Sequence, residues 1–494
     1  MAQTTSTKIY AFGDSLSDAG NLSTSTGAPV SPPYYKAQYG SSSGTVFSNG
    51  PVWVQDLATA LGLAIPSPSL SSGTDFAYGG AETGSTPQNA SAPQYTAISL
   101  PAQLAQFKLQ VPNPSPTALY TLSIGANDLD SILADSSLTS AQQTADINAA
   151  VGNEISFVKS LVSAGAKNLL ILNVPDLGKI PEITLGLDNG SNTPSAAYDA
   201  LASQLSAQYN AALSAQLGAV TGAAIQVADA YTLLDAATAN PAAYGLTNVT
   251  SPVWNGNFLS AGSGTLLATT PAAQNQYLYF DDYHPTETGQ QAIANLAYQA
   301  VTGVPVIAVA DKTTNQPVTP ATTPYTGPVA GLTQQYINVT ADKLNIAAET
   351  PGWFIHSGSG DDAIAVTGGI NVVDGGTGSN FMTGGTGTDT FFVDDRTATA
   401  TTWSTVVNFH AGDSLTLWGV NATDFALSWM NGAGAAGYTG LTLSATASSK
   451  PEAIVTLAGL TQTALSNGTL TVSSGTDAAS GSVYTNIHAN AAVA

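Results

Sequence analysis

The chain has 494 residues, no cysteine, 10 basic residues against 32 acidic ones and a net charge of −22. The lack of cysteine excludes disulfides, thiolate nucleophiles and cysteine-based zinc or iron–sulfur sites; the acid excess, with Arg396 the only arginine, leaves no basic footprint for nucleic acid or anionic lipid. With 43% hydrophobic residues the chain can bury a sizeable core, but it has no apolar run of the roughly 18 residues a membrane-spanning helix needs, and its polar start predicts no cleaved Sec-type leader.

The first element is the apolar run 9–12, which stops at Gly13 and opens into a polar turn holding Asp14, Ser15 and Asp18. A serine just past a strand end, on a turn of small residues, can expose its hydroxyl and its backbone N–H together, as a nucleophile must. Helical periodicity then predicts a helix over 52–61. Further short apolar runs at 119–124, 169–174 and 224–228 alternate with helical stretches at 141–162, 196–217 and 290–301. The alternation predicts a parallel sheet flanked by helices over 1–302, with chemistry in the turns at the carboxyl ends of the strands. The long insertions 24–48 and 248–276 are expected to shape the substrate pocket.

Composition changes after residue 301. Residues 303–335 are rich in Pro, Thr and Gly and read as an extended linker. Residues 336–494 read as an all-β domain, and the small, polar end 473–494 suits an unstructured or secretion-competent tail. Inside this domain four consecutive nonapeptides begin at Ser357, Val366, Gly375 and Gly384. The last fits the template Gly-Gly-x-Gly-x-Asp-x-apolar-x in full. The sixth positions hold Asp362, Asn371, Asn380 and Asp389, and the eighth are all apolar. Glycines permit tight turns, the acidic side chain offers a hard oxygen suited to Ca²⁺, and the apolar residue packs inside a stacked coil. These repeats resemble the RTX repeats of proteins exported by bacterial type I systems. The resemblance implies a short β-roll, contact with a type I secretion apparatus, an extracellular location without a cleaved N-terminal signal peptide, and calcium between repeats two apart. Such sites would pair Asp362 with Asn380 and Asn371 with Asp389. Each pair has one carboxylate instead of two, so the expectation is weak calcium binding or a calcium-free roll.

Chemistry in the first 302 residues needs a base for Ser15, and His284 is the only histidine there. Asp281 precedes it by three residues and Pro285 fixes the turn that follows. A carboxylate at that spacing can reach the imidazole and hold its tautomer. Asn127, just after the 119–124 run, can aim a side-chain N–H at an oxyanion, and the Gly79-Gly80 pair lets backbone approach a substrate. Gly13-Asp14-Ser15-Leu16, Gly80, Gly125-x-Asn127-Asp128 and Asp281-x-x-His284-Pro285, in that order, resemble the GDSL (SGNH) hydrolase family across residues 8–302. The resemblance implies a flavodoxin-like three-layer fold and a cofactor-free Ser-His-Asp mechanism. Ser15 would be the nucleophile, His284 the base and then the acid, and Asp281 the orienting carboxylate. The Ser15 N–H, the Gly80 N–H and the Asn127 amide would form the oxyanion hole, with Gly79 the alternative backbone donor. Asp14 and Asp128 are expected to brace their turns and Asp282 to face solvent. Asp75 stands where relatives often carry Asn. The leading function is a secreted carboxylesterase or lipase acting on a lipid or a short- to medium-chain ester. Alternatives are an O-deacetylase of acetylated glycans and, in another class, a calcium-dependent adhesion protein with a non-catalytic α/β scaffold.

Overall fold

The computed structural model describes the chain apart from residues 1–5, 86–97, 188–192, 240, 245, 258–259, 261, 305, 315–317, 319, 349, 368, 386 and 491–494. It divides into two compact units, Met1–Pro241 with Leu246–Val304, and Ala242–Gly245 with Pro305–Ala494.

In the first unit four strands pair in parallel in chain order: β1 (Ile9–Gly13), β2 (Leu119–Ser123), β3 (Asn168–Leu172) and β4 (Ala224–Ala228). On the outer side of β1, Ala11 forms a parallel bridge with Asp75. Its N–H donates to the Thr74 carbonyl and its carbonyl accepts from the Phe76 N–H. The Asp75 segment therefore takes the place of a second strand reduced to one bridge. The spatial order is that of flavodoxin-like sheets, whose ligand sites lie at the carboxyl ends of the strands.

β1 and β2 are apolar runs because the sheet is covered on its faces. Phe12 stacks on Phe76 and meets Phe107 and Phe157 edge-on at 5.2 and 5.1 Å. Helix Ser140–Ala164 starts at a capping box in which Thr139 and Gln142 satisfy each other's backbone N–H groups. It packs with helices Leu100–Gln110, Ala126–Ala134 and Ala196–Leu217. A separate pair, Trp53–Ala60 and Glu287–Thr302, packs together, the latter also against β3 and β4.

The second unit is built from two eight-stranded sheets. From Gln334–Ile337 to Ser414–Trp418 successive strands alternate between them. Gln334–Ile337, Trp353–His356, Ile370–Asp374, Thr388–Asp394 and Ser414–Trp418 run parallel in one. Leu344–Ala348, Ala363–Val366, Phe381–Thr383, Thr402–Val407 and Ala453–Ala458 run parallel in the other. Through the repeats, paired residues such as Asn371 and Asp389 are 18 positions apart, which is two nonapeptides. The eighth-position residues Ile364, Val373, Met382 and Phe391 are all fully buried in one shared core.

The sixth-position residues meet in the pairs expected for calcium, but as hydrogen-bond partners. The Asp362 N–H donates to Asn380 Oδ1 at 2.9 Å, and Asn371 Nδ2 donates to Asp389 Oδ1 at 2.9 Å. Four further side-chain atoms of the set bond to backbone. Asp362 Oδ1 accepts from Leu344 N–H, Asn371 Oδ1 from Gly352 and Trp353 N–H, and Asp389 Oδ2 from Gly385 N–H, while Asn380 Nδ2 donates to the Gly375 carbonyl. Calcium takes six to eight oxygens. A pair with one carboxylate, and with an amide N–H turned onto that carboxylate at Asp389, does not fit the ion. Among the described residues no group of three or more His, Asp or Glu is placed to hold a metal.

Two stretches differ from the sequence expectation. Ile307–Asp311, within the stretch read as linker, is an antiparallel strand beside Leu344–Ala348, with Ile307 and Val309 in the core. The tail read as unstructured carries Leu470–Thr476 and Val483–Ala489, which pair with each other, and the latter also pairs with Ser414–Trp418. Leu470, Ile487 and Ala489 reach the core. An apolar residue at every second position anchors a strand even where composition is otherwise small and polar.

Candidate active site

β1 ends at Gly13, where the backbone has φ +132° and an added Cβ would lie 1.9 Å from the Ser123 carbonyl oxygen. Only glycine lets the chain leave β1 this close to β2. Buried Gln103 holds the exit by accepting the Gly13 N–H at 2.9 Å and donating to its carbonyl at 2.7 Å. The next residues form a tight turn in which Asp14 Oδ1 accepts the Leu16 N–H and the Asp14 carbonyl accepts from Ser17 and Asp18. Ser15 stands at its apex, partly exposed. Among the described residues no acceptor takes the Ser15 N–H.

Asp18, fully buried, ties this turn to the next one. Its Oδ1 accepts N–H groups of Gly20 and Asn21, and its Oδ2 those of Leu22 and Gly79. The Gly79 N–H is thus committed, which removes the alternative oxyanion donor. The Gly80 N–H, in a turn with φ +78°, has no acceptor among the described residues. Asp75, also buried, accepts from Ala19 and Ala77 N–H and braces the same pair of turns.

Asn127 lies in the first turn of helix Ala126–Ala134, entered through Gly125 at φ +109°, where the Tyr209 ring leaves no room for a Cβ. One Asn127 amide hydrogen goes to the Ala81 carbonyl at 2.9 Å, and the other has no acceptor among the described residues. Asp128 accepts from the Thr83 N–H and hydroxyl. Asp14 therefore braces its own turn, whereas Asp128 ties the start of its helix to the Thr83 segment.

His284 arrives from the other end of the unit. Its Nε2 lies 2.8 Å from Ser15 Oγ, across 269 positions of chain. Its Nδ1 lies 2.8 Å from both oxygens of Asp281. Asp281 Oδ1 also accepts the backbone N–H groups of Tyr283 and His284, which closes the Asp281–His284 turn. A carboxylate on Nδ1 fixes that nitrogen as the donor and leaves Nε2 to accept the serine proton. Burial alone would raise the Asp281 carboxyl, but His284, and then Tyr34, hold it below the usual carboxylate range. The Phe47 ring lies 4.7 Å from the imidazole. Phe47 comes from the first long insertion, as does Tyr34, and Trp254 comes from the second; all three belong to one apolar cluster with Phe280.

Asp282, expected in solvent, is instead half-buried. Burial and the neighbouring Asp281 push its carboxyl up to about 6. Beneath the Ser15 turn lies a set of buried acids, of which the sequence singled out Asp14 and Asp128 but not Glu154. Burial raises Asp14 and Asp128 to about 7, and Glu154, which accepts the Tyr209 hydroxyl at 2.7 Å, to about 8. Glu154 sits in a long helix with no motif around it; its place opposite Tyr209 exists only in the fold.

The sequence profile of the GDSL-like lipase/acylhydrolase family matches residues 9–297. The chain is 34% identical over 179 residues to a phosphatidylcholine-sterol acyltransferase of Aeromonas hydrophila, covering 35% of this chain and 46% of that one. It is 27% identical over 328 residues to a GDSL esterase/lipase of Arabidopsis thaliana, covering 59% of this chain and 89% of the relative. It is 29% identical over 318 residues to esterase EstA of Pseudomonas aeruginosa, covering 59% and 46%. The match thus spans less than half the length of both bacterial relatives. The family profile ends at residue 297.

Proposed function

The chain belongs to the GDSL-like lipase/acylhydrolase family of ester hydrolases, and from that premise we propose that it cleaves carboxylic esters by two-step acyl transfer through Ser15, His284 and Asp281. The observation that carries the reading is the unbroken line from Ser15 Oγ through His284 to Asp281, each contact at 2.8 Å. Ser15 Oγ attacks the ester carbonyl as its proton passes to His284 Nε2. The new oxyanion is received by the Ser15 N–H, the Gly80 N–H and the second Asn127 amide hydrogen, three donors that have no other acceptor among the described residues. The start of helix Ala126–Ala134 adds a favourable partial charge. His284 returns its proton to the leaving alcohol, and the acyl group stays on Ser15. Water then attacks the acyl carbonyl with His284 as base, and the acid departs as Ser15 regains its proton.

The similarity to an acyltransferase favours a second outcome at the last step, attack by an alcohol in place of water, which gives a new ester. For the second unit, the 18-residue register and the buried eighth positions support a β-roll held without calcium, of the kind carried by exported proteins, which would put the enzyme outside the cell.

A fluorophosphonate probe tests the core of this reading. The protein is expected to label on Ser15, located by peptide mapping, and Ser15→Ala is expected not to label. A wild-type protein that stays unlabelled while hydrolysing esters overturns the assignment. A chain-length series of p-nitrophenyl esters, run with and without an added alcohol, then defines the acyl group and the acceptor.

A further inference from the structure

We propose that Tyr34 is a positioning residue for the proposed relay, its hydroxyl donating to Asp281 Oδ2 and so holding the carboxylate in register with His284. The inference rests on the reading of Ser15, His284 and Asp281 given above. Tyr34 lies 247 positions before Asp281, in the first long insertion, and is almost wholly buried. Its ring is gripped on several sides, edge-on to Phe280 at 5.1 Å, Trp254 at 5.2 Å and Phe47 at 6.0 Å. A ring so confined can offer its hydroxyl in few directions, and the direction it takes ends on Asp281.

The need for that donor follows from a count of partners. Among the described residues Asp281 Oδ1 has two backbone N–H groups besides His284 Nδ1, whereas Oδ2 has only His284 Nδ1 and Tyr34. A buried carboxylate oxygen with one shared proton is poorly satisfied, and a hydrogen bond to an ionised acceptor is among the stronger ones. Burial and the facing carboxylates raise the Tyr34 phenol far above its ordinary range, so it stays a donor throughout the working pH. Phe47, which touches Tyr34 on one side and the imidazole on the other, joins the two supports.

Removing the hydroxyl should have two effects. The carboxylate loses its second anchor, so the imidazole is less well aligned with Ser15. The negative charge that Tyr34 shared then falls on His284, favours the imidazolium, and moves the acid limb of the pH profile upward. The titratable groups facing this set are Asp282, beside Asp281 and Tyr34, and Asp14, beside His284. Burial and Asp281 push the Asp282 carboxyl up to about 6, so the comparison is made in the wild-type and the Asp282→Asn backgrounds.

The experiment is Tyr34→Phe, which keeps the ring and its packing. The expected result is a fall in kcat of about tenfold with KM unchanged, and an acid limb of kcat/KM displaced to higher pH in both backgrounds. A folded Tyr34→Phe enzyme with wild-type kcat and an unmoved limb overturns the proposal. Should that variant not fold, 3-fluorotyrosine placed at position 34 makes the phenol a stronger donor. The downfield Nδ1 proton of His284 should then shift in the NMR spectrum, and an unmoved resonance again overturns it. Failure of this inference is separable from failure of the hydrolytic reading: Ser15→Ala inactive with Tyr34→Phe normal sinks only the first, and an active Ser15→Ala sinks both.

Discussion

The two units each contain histidine–aspartate pairs, and the difference between them is what singles out one of them for the proposed chemistry. His284 lies 2.8 Å from Asp281, His356 2.8 Å from Asp374, and His410 2.9 Å from Asp413. Distance does not separate them. The first pair is nearly buried, at 12 and 10% side-chain exposure, whereas the second is exposed by 31 and 24%. In the third, His410 is within ion-pair reach without hydrogen-bond alignment. Among the described residues only His284 has a serine hydroxyl on its second nitrogen. The carboxylate on His356 raises its basicity but gives it no proton to take. A dyad becomes useful chemistry when its far nitrogen meets a nucleophile and unclaimed N–H donors stand nearby.

The contrast extends to the buried amides and acids. In the second unit Asp362, Asn371, Asn380 and Asp389 hold backbone N–H groups or one another, and so brace the coil. In the first, Asp18 does similar work for the Ser15 turn, while among the described residues Asn127 and Gly80 each have an N–H without an acceptor.

The sharpest way to break the comparison is to exchange the pairs as targets. Ser15→Ala should lower p-nitrophenyl ester turnover by several orders of magnitude, on the order of 10⁴-fold or more, while His356→Ala leaves it at the wild-type rate. Equal losses from the two would show that the distinction drawn here is wrong. Asn127→Ala should lower kcat on the order of 10²-fold, with steady-state kinetics as the readout and KM little changed.

A smaller effect concerns the acids beneath the nucleophile. Asp14, Asp128 and Glu154 have carboxyls raised to about 7, 7 and 8 by burial, so the folded unit binds more protons than the unfolded chain. Their contribution to stability is complete below the ordinary carboxyl range and is lost as pH rises through about 7 to 8. Thermal melts should therefore show the first unit's Tm falling between pH 5 and pH 8, and Glu154→Gln should flatten that slope. Asp281, held low, acts in the opposite sense, and its contribution disappears only as pH falls below the carboxyl range. The least effect is expected from calcium. If the sixth-position side chains are satisfied by the coil itself, millimolar Ca²⁺ or EDTA should move the second unit's Tm by less than about 1 °C, and a large gain with Ca²⁺ would reinstate the cation.

Much of this architecture can be read before any coordinates are consulted. The alternation of short apolar runs with helical stretches comes from local chemistry, since each strand must be apolar on both faces and each helix on one. Gly13, Ser15, Asp281 and His284 stand in local contexts that impose their own geometry: a turn that only glycine can make, and a carboxylate three residues from an imidazole. The nonapeptide period likewise shows which residues enter the core. Where local composition misled, packing had overruled it. Ile307–Asp311 is a strand because Leu344–Ala348 offers it an edge, and Val483–Ala489 in the small, polar stretch is a strand because Ile487 and Ala489 find a core.

Sequence alone, then, determined the strand and helix pattern, the turn that presents Ser15 and the bond between Asp281 and His284, because each is enforced by residues a few positions apart. Only the tertiary structure decided that Tyr34 and Phe47 close on that pair, that Asp18 rather than an oxyanion takes the Gly79 N–H, and that Glu154 is buried against Tyr209. Those meetings join residues tens to hundreds of positions apart, and they are set by how the sheet, the helices and the long insertions pack, which no local pattern encodes.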